Sequence, residues 1–275
     1  MSRTIDWPAQ EIWQAVVTQL PEFSVEIVPQ IDSTNSELMR RARAGRLEPV
    51  LLVAEQQNAG RGRLGRHWFS TAMASVGATP GCLTFSIGLA MAPRDWSGLS
   101  LAVGLSVVES LHPDLGLKWP NDVWWQGRKL AGILIETVSV PGARYAVIGV
   151  GINIDQPTAG DFSTQPAWLA ELMPETNAAQ ALLRITPALM RRLKAFEASG
   201  FAPLQQRFRQ RDVLAQQLVT LSDGTSGLAL GVDEVGALLV QTTRGLKRIG
   251  SAEVSLRPAS STVAENRQRV IKNSG

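Results

Sequence analysis

From Gly116 to Ile154 the chain carries one strand signal after another with only turns between them. Gly116-Leu117-Lys118-Trp119-Pro120-Asn121-Asp122-Val123 reads as a strand that breaks at the proline and resumes as Val123-Trp124-Trp125. A turn at Gln126-Gly127 leads into Lys129–Thr137, and Tyr145–Ile154 is a further strong strand. Parallel neighbours need a crossover of a dozen or more residues, so strands joined by turns this short pair antiparallel. A regular βαβ series is excluded, and the class is α+β, a mixed or antiparallel sheet with helices.

The flanking segments supply the helices. Residues 10–20 have helical apolar spacing, and Ser24–Val28 alternates as a short strand. Thr34 as N-cap with Glu37 three residues later makes a capping-box pattern, opening a helix that ends near Gly45. A strand at 50–54, an alternating strand at 83–89 and a helix at 97–111 opened by a serine cap follow. Helices are expected at about 177–198, with a kink or restart at Pro187, and at about 201–211. From 214 the pattern changes to short strands parted by Asp223-Gly224, Asp233–Gly236 and Arg244-Gly245 turns. The expected organisation is a main domain over 1–213, a small all-β module over 214–258, and a serine- and charge-rich disordered tail over 259–275.

Composition narrows the function classes. The 275 residues are 44% hydrophobic and 19% charged, the signature of a folded chain. A net charge of +3 is too mild for a general nucleic-acid binder, and no nucleic-acid partner is expected. No apolar run approaches the roughly 20 residues that span a bilayer, and the N-terminus has no signal-peptide core. With the single cysteine, Cys82, this places the expected location in the cytoplasm, away from membranes. Two histidines and one cysteine make a structural zinc site improbable, and no protein-held metal is expected.

Gly60-Arg61-Gly62-Arg63-Leu64-Gly65-Arg66 interleaves three arginines with glycines just after the 50–54 strand. Glycine permits a flexible loop with close backbone approach, and arginine supplies a planar fork for carboxylate and phosphate oxygens. Such a loop is suited to close over an anion. Arg-Gly segments also occur in disordered nucleic-acid-binding tails, but here the segment is embedded in a globular chain. Neither this loop nor Gly149-Val150-Gly151 is a GxGxxG opening a helix, and no GxxxxGK[ST] loop is present.

Four segments join turn formers to polar groups near strand ends: Asp32-Ser33-Thr34-Asn35; the 55–68 loop; Lys118–Asp122 with Arg128–Gly132; and Gly149–Asn153. In this order and spacing they resemble the biotin–protein ligases, from about Ile31 to Asn153 and more weakly in the β module. The resemblance implies a class II aminoacyl-tRNA synthetase-like catalytic domain with a small C-terminal SH3-like barrel. It also implies a two-step reaction: biotin and ATP, with Mg²⁺ on the ATP phosphates, give biotinyl-5′-AMP. A lysine on the biotin carboxyl carrier domain of acetyl-CoA carboxylase or a related carboxylase then accepts the biotinyl group. The expected assembly is a monomer or homodimer.

By the same resemblance, Ser33, Thr34 and Gln57 match positions that hydrogen-bond the biotin head. Gly60 and Arg61 match contacts to biotin and its carboxylate, and Lys129 bridges carboxylate and phosphate. Arg63, Arg66, Trp68, Asn121 and Asn153 match ATP or adenylate positions, and Gly132, Gly149 and Gly151 bring backbone close to the biotin pocket. Lys129 and Arg61 are the catalytic cations, and Asp122 is expected to orient Lys129 or the incoming amine. Local readings stand beside these: Ser33 and Thr34 as a helix cap, Trp68 and Trp119 as core aromatics, Asn121-Asp122 as a turn, and Lys129 as a solvated lysine. His67 reads as a bystander, and Glu55 and Glu136 as structural.

The chain departs from the family pattern twice. The link at 71–82 is longer than usual, and residues 1–30 hold at most a helix and a strand, too little for a helix-turn-helix domain. The alternative activities are a lipoate or octanoate ligase-type acyltransferase and a non-enzymatic biotin sensor.

Overall fold

The computed structural model describes residues 5–69, 80–157, 165–221, 223–250 and 257–258. The expected tail at 259–275 and most of the 71–82 link lie outside them. In chain order the elements begin α1 (Ala9–Val17), β1 (Ser24–Ile31), α2 (Thr34–Arg43), β2 (Val50–Gln57), β3 (Cys82–Met91) and α3 (Leu99–Leu111). Next come β4 (Gly116–Lys118), β5 (Asp122–Trp125), β6 (Arg128–Val140) and β7 (Ala143–Asn153). The helices α4 (Leu169–Leu172), α5 (Ala178–Ser199) and α6 (Gln205–Arg209) lead to β8 (Leu218–Thr220), β9 (Ser226–Val232), β10 (Leu238–Thr242), β11 (Gly245–Ile249) and β12 (Arg257–Pro258).

The first seven strands form one sheet in the order β1-β2-β3-β7-β6-β5-β4. Only β1 and β2, joined through α2, run parallel; every other pair is antiparallel, as turn-length connections require for β4–β5, β5–β6 and β6–β7. The last five strands form a second, antiparallel sheet in the order β11-β10-β9-β8-β12.

Register gives the large sheet two unlike faces, because successive side chains point to opposite sides. Leu83, Phe85 and Ile87 of β3 and Ile148, Val150 and Ile152 of β7 enter the main core with α3 and α5. Their neighbours in sequence face the other way. Across β2, β3, β7 and β6 one row aligns Leu52, Ser86, Gly149 and Leu134; the next aligns Ala54, Thr84, Gly151 and Gly132. Small residues at the centre of this face leave a trough, and α2 covers its far side over Leu52, Tyr145 and Val147.

Several local expectations are corrected. The N-cap of α2 is Ser33, whose Oγ accepts from Ser36 N at 3.4 Å; Thr34 is already helical. With Ser33 as the cap, N3 is Ser36, so Glu37 is one residue too far along for a capping box, and its carboxylate pairs with Arg40 and Arg41 instead. The α3 N-cap is Gly98 at φ +78°, with no side-chain cap, while Ser97 N donates to Asp95. α5 runs as one helix through Pro187, held by a buried stripe that includes Leu182, Ile185 and Leu189. A capping box does occur at its start, between Asn177 and Gln180. The helix expected at 201–211 is a 3₁₀ turn, Ala202–Leu204, followed by the short α6.

The two sheets are tied together behind the trough. Leu117 N donates to Arg211 O at 2.7 Å and Val213 N to Leu117 O at 3.0 Å, continuing the β4 edge. Buried Trp119 donates Nε1–H to Gly236 O at 3.0 Å, in the turn between β9 and β10. Gly236 sits at φ +83°, and a Cβ there would approach Gly98 Cα to 2.8 Å, so this turn accepts only glycine.

Candidate active site

The trough opens into a cleft of about 820 Å³, within the range of small-molecule sites. Ser33, Thr34, Gln57, Arg61, Arg63, Arg66, Trp68, Asn121, Asp122, Lys129, Gly132, Gly149, Gly151 and Asn153 all line it. Gly60 is the one expected site residue outside the lining. Its carbonyl accepts from Trp68 N at 2.9 Å, stitching together the two ends of the arginine loop.

That loop is less free than its glycines suggest. Gly62 N donates to Arg66 O at 2.7 Å, and Arg61 pairs with His67 as an antiparallel bridge. The segment is therefore a small hairpin, turned by Leu64 at φ +57° and Gly65 at φ +72°. Its closing residue, Trp68, lays an indole on the trough floor. A Cβ at Gly151 would strike that ring, and one at Gly132 would come within 3.3 Å of it.

On the β2 side the lining groups are neutral. Thr34 donates from N at 2.7 Å and from Oγ1 at 3.1 Å to Gln57 Oε1. Buried Ser86 donates its one hydroxyl proton to Asn35 Oδ1 at 2.6 Å, with Thr34 Oγ1 2.7 Å from the same oxygen. With Gln57 Oε1 occupied by Thr34, its Nε2 lies beside Gly60, 3.1 Å from where a Cβ there would stand. Ser33 serves as both cap and lining residue, so the two local readings of it coexist.

On the β5–β6 side the lining groups are charged. Lys129 Nζ is 2.7 Å from Asp122 Oδ1. Arg61 forms a two-pronged pair with Glu136, at 2.8 and 3.2 Å. Arg63 Nη1 donates to Asn121 Oδ1 at 3.2 Å; burial lowers its pKa, the Asp122 charge opposes that, and the Arg66 charge adds to it. Asn121 is pinned to β6 by Nδ2 donating to Ile133 O at 2.9 Å, and by Ile133 N donating to Asn121 O at 3.0 Å. Asn153 closes the end of β7, donating to Ala167 O at 2.9 Å. Cys82 is buried, its thiol pushed up to about 12 by desolvation, and so is no nucleophile.

Sequence reasoning gave no site role to five lining or supporting residues: Asn35 and Lys118, which it placed only within the polar segments, Glu136, which it read as structural, and Thr84 and Ser86, which it did not single out. Lys118 is buried with Nζ 4.0 Å from the Trp124 ring centroid, and a lysine inside an apolar strand was the available signal. Of the tryptophans, Trp68 and Trp119 both line the cleft, Trp119 from a fully buried position in the core.

Neutral polar groups face a cluster of cations across a small-residue floor, an arrangement suited to an anionic ligand. Residues 27–153 match the model of the Biotin/lipoate A/B protein ligase family, and residues 218–257 match the biotin protein ligase C-terminal domain. The chain is 36% identical to the biotin–[acetyl-CoA-carboxylase] ligase of Mycobacterium tuberculosis, over 78% of this chain and 82% of that one. It is 35% identical to the bifunctional ligase/repressor BirA of Escherichia coli, over 89% and 77%. The biotin protein ligase of Aquifex aeolicus, solved in complex with biotin and ATP, superposes with a TM-score of 0.71 at 29% identity, covering 86% of this chain and 99% of that one. The chain belongs to this family, on its biotin protein ligase branch. No helix among the described residues is long and apolar enough to cross a membrane.

Proposed function

We infer that this chain is a biotin–protein ligase acting in two steps. A carboxylate oxygen of biotin attacks the α-phosphorus of ATP, supplied as its Mg²⁺ complex; pyrophosphate leaves and biotinyl-5′-AMP forms. The amine of a carrier-domain lysine then attacks the acyl carbon, AMP leaves, and the nitrogen gives up a proton. The supporting observation is the division of the cleft, with neutral groups on the β2 side and Lys129, Arg61 and Arg63 on the β5–β6 side. A neutral ureido head suits the first side, and a carboxylate meeting phosphates suits the second.

Residue roles follow from that division. Ser33, Thr34 and Gln57 bind the head, while backbone at Gly132, Gly149 and Gly151 lines the ring site. Gly60 shapes the loop that carries Arg61 toward the carboxylate, and Lys129 bridges carboxylate and α-phosphate. Arg63, Arg66, Trp68, Asn121 and Asn153 bind the nucleotide side, and Asp122 orients Lys129. Charge neutralisation and positioning are the main catalytic contributions, since two anions must be brought together. The ligase domain spans 1–213 and the SH3-like module 214–258. The protein partner is the carrier domain of acetyl-CoA carboxylase or a related carboxylase. The enzyme acts in the cytoplasm as a monomer or homodimer, without a nucleic-acid partner.

ATP–pyrophosphate exchange with biotin and with lipoate offered separately, followed by transfer to a carrier domain, tests this reading. Biotin should support exchange and transfer. Exchange with lipoate alone overturns it.

A further inference from the structure

Glu136 has no role in the reaction as written above, yet it holds the guanidinium that the reaction needs. Arg61 Nη2 donates to Glu136 Oε1 at 2.8 Å and Nη1 to Oε2 at 3.2 Å, with Ser36 Oγ 3.3 Å from Nη1. The carboxylate is fixed in turn by Asn35, whose Nδ2 donates to Glu136 Oε2 at 3.1 Å and to Leu134 O at 3.2 Å. Asn35 cannot drift, because its side-chain carbonyl occupies the place of a Cβ at Gly149 and accepts from buried Ser86 at 2.6 Å. The result is a rigid carboxylate presented to the arginine loop from the edge of the trough.

A guanidinium fork engaged end-on by one carboxylate does not offer the same fork to another. We propose that Glu136 competes with the ligand's carboxylate for Arg61, and that biotin takes Arg61 from it during loading. The proposal rests on biotin being the ligand. The pair is open to water, with the Arg61 side chain 46% exposed and that of Glu136 22% exposed, so the competition is modest. Glu136 is then a positioning residue: it sets where Arg61 waits and how tightly a carboxylate must bind to claim it.

The test is calorimetric titration of the full chain with biotin and with its alcohol analogue, which lacks the carboxylate. In E136Q, biotin should bind about two- to fivefold tighter while the alcohol is unchanged. E136D shortens the carboxylate without removing its charge, and its biotin affinity should fall between those of wild type and E136Q. Weakening of both ligands in E136Q makes Glu136 a scaffold and overturns the proposal, as does unchanged biotin binding or equal tightening of both. Wild-type protein that binds neither ligand removes the biotin reading itself, and the proposal falls with it.

Discussion

Lys129 Nζ reaches Asp122 Oδ1 at 2.7 Å across the position of Gly132, where a Cβ would lie 3.3 Å from the ammonium. The bare glycine leaves the lysine room to cross the β5–β6 hairpin, and the aspartate sets its direction. Asp122→Asn keeps an acceptor but removes the charge. Pyrophosphate exchange should slow about tenfold, equivalent to roughly 1.4 kcal/mol. Transfer from pre-formed biotinyl-AMP should change little if Asp122 acts through Lys129. A variant with full exchange but failed transfer would instead assign Asp122 to the incoming amine.

Gly149 lies in the row Leu52, Ser86, Gly149, Leu134, and Asn35 fills the space above it. Gly149→Ala forces Asn35 or the start of α2 to move. A destabilisation of about 1–3 kcal/mol in urea unfolding is expected, as for other overpacked sites. Biotin affinity should fall with it, because Asn35 is bonded to Ser86, which supports Thr34. Gly250→Ala, with open space around its Cβ position, is the control and should be near neutral. Equal stability of the two variants would remove Asn35 as a fixed wedge.

The strand run from 116 to 154 was legible because alternation and connection length are local properties; that β1 and β2 pair in parallel was not read from the sequence. The polar segments of the cleft were legible because each carries its turn formers with it. Ser86, Asn35 and Glu136 were not, since their meeting depends on the register of β3, β6 and β7, which no short window contains. The misplaced cap at α2 has a nearer cause: Ser33 and Thr34 are both hydroxyl residues, and the geometry alone decides which one caps. Moving the cap back to Ser33 puts Ser36 at N3, and Glu37, left without a capping role, pairs with two arginines one turn on.

Trp119 connects the C-terminal sheet to the segment that supplies Asn121 and Asp122. Trp119→Phe keeps most of the buried ring and leaves Gly236 O without its donor. A loss of about 1–3 kcal/mol is expected in urea unfolding. Pyrophosphate exchange should fall less than stability, since Ser100 Oγ to Pro120 O at 2.9 Å and the two Asn121–Ile133 bonds still anchor that loop. An exchange rate lost entirely in a Trp119→Phe protein that is still folded would mean that these anchors do not hold the loop and that Trp119 does.

Asp212 sits where β4 meets the chain entering the C-terminal sheet, and its Oδ2 is buried without a hydrogen-bond partner among the described residues. Burial pushes its pKa from 3.8 up to about 6, against hydrogen bonds from the Leu214 and Ala215 backbone that lower it. An acid with a raised folded pKa keeps its proton in the native state where the unfolded chain has released it. Its contribution to stability is therefore fully present below the unfolded value of 3.8 and is lost as pH rises toward about 6. The carboxylates of Asp32, Glu37 and Asp233 are shifted the other way, so absolute stability mixes opposite slopes. Asp212→Asn removes only the one titration. The stability of wild type relative to this variant should decline between pH 4 and 6 and level off above, as read by urea unfolding at each pH. A difference that stays flat or rises over that interval would mean Asp212 is solvated at the junction and titrates normally.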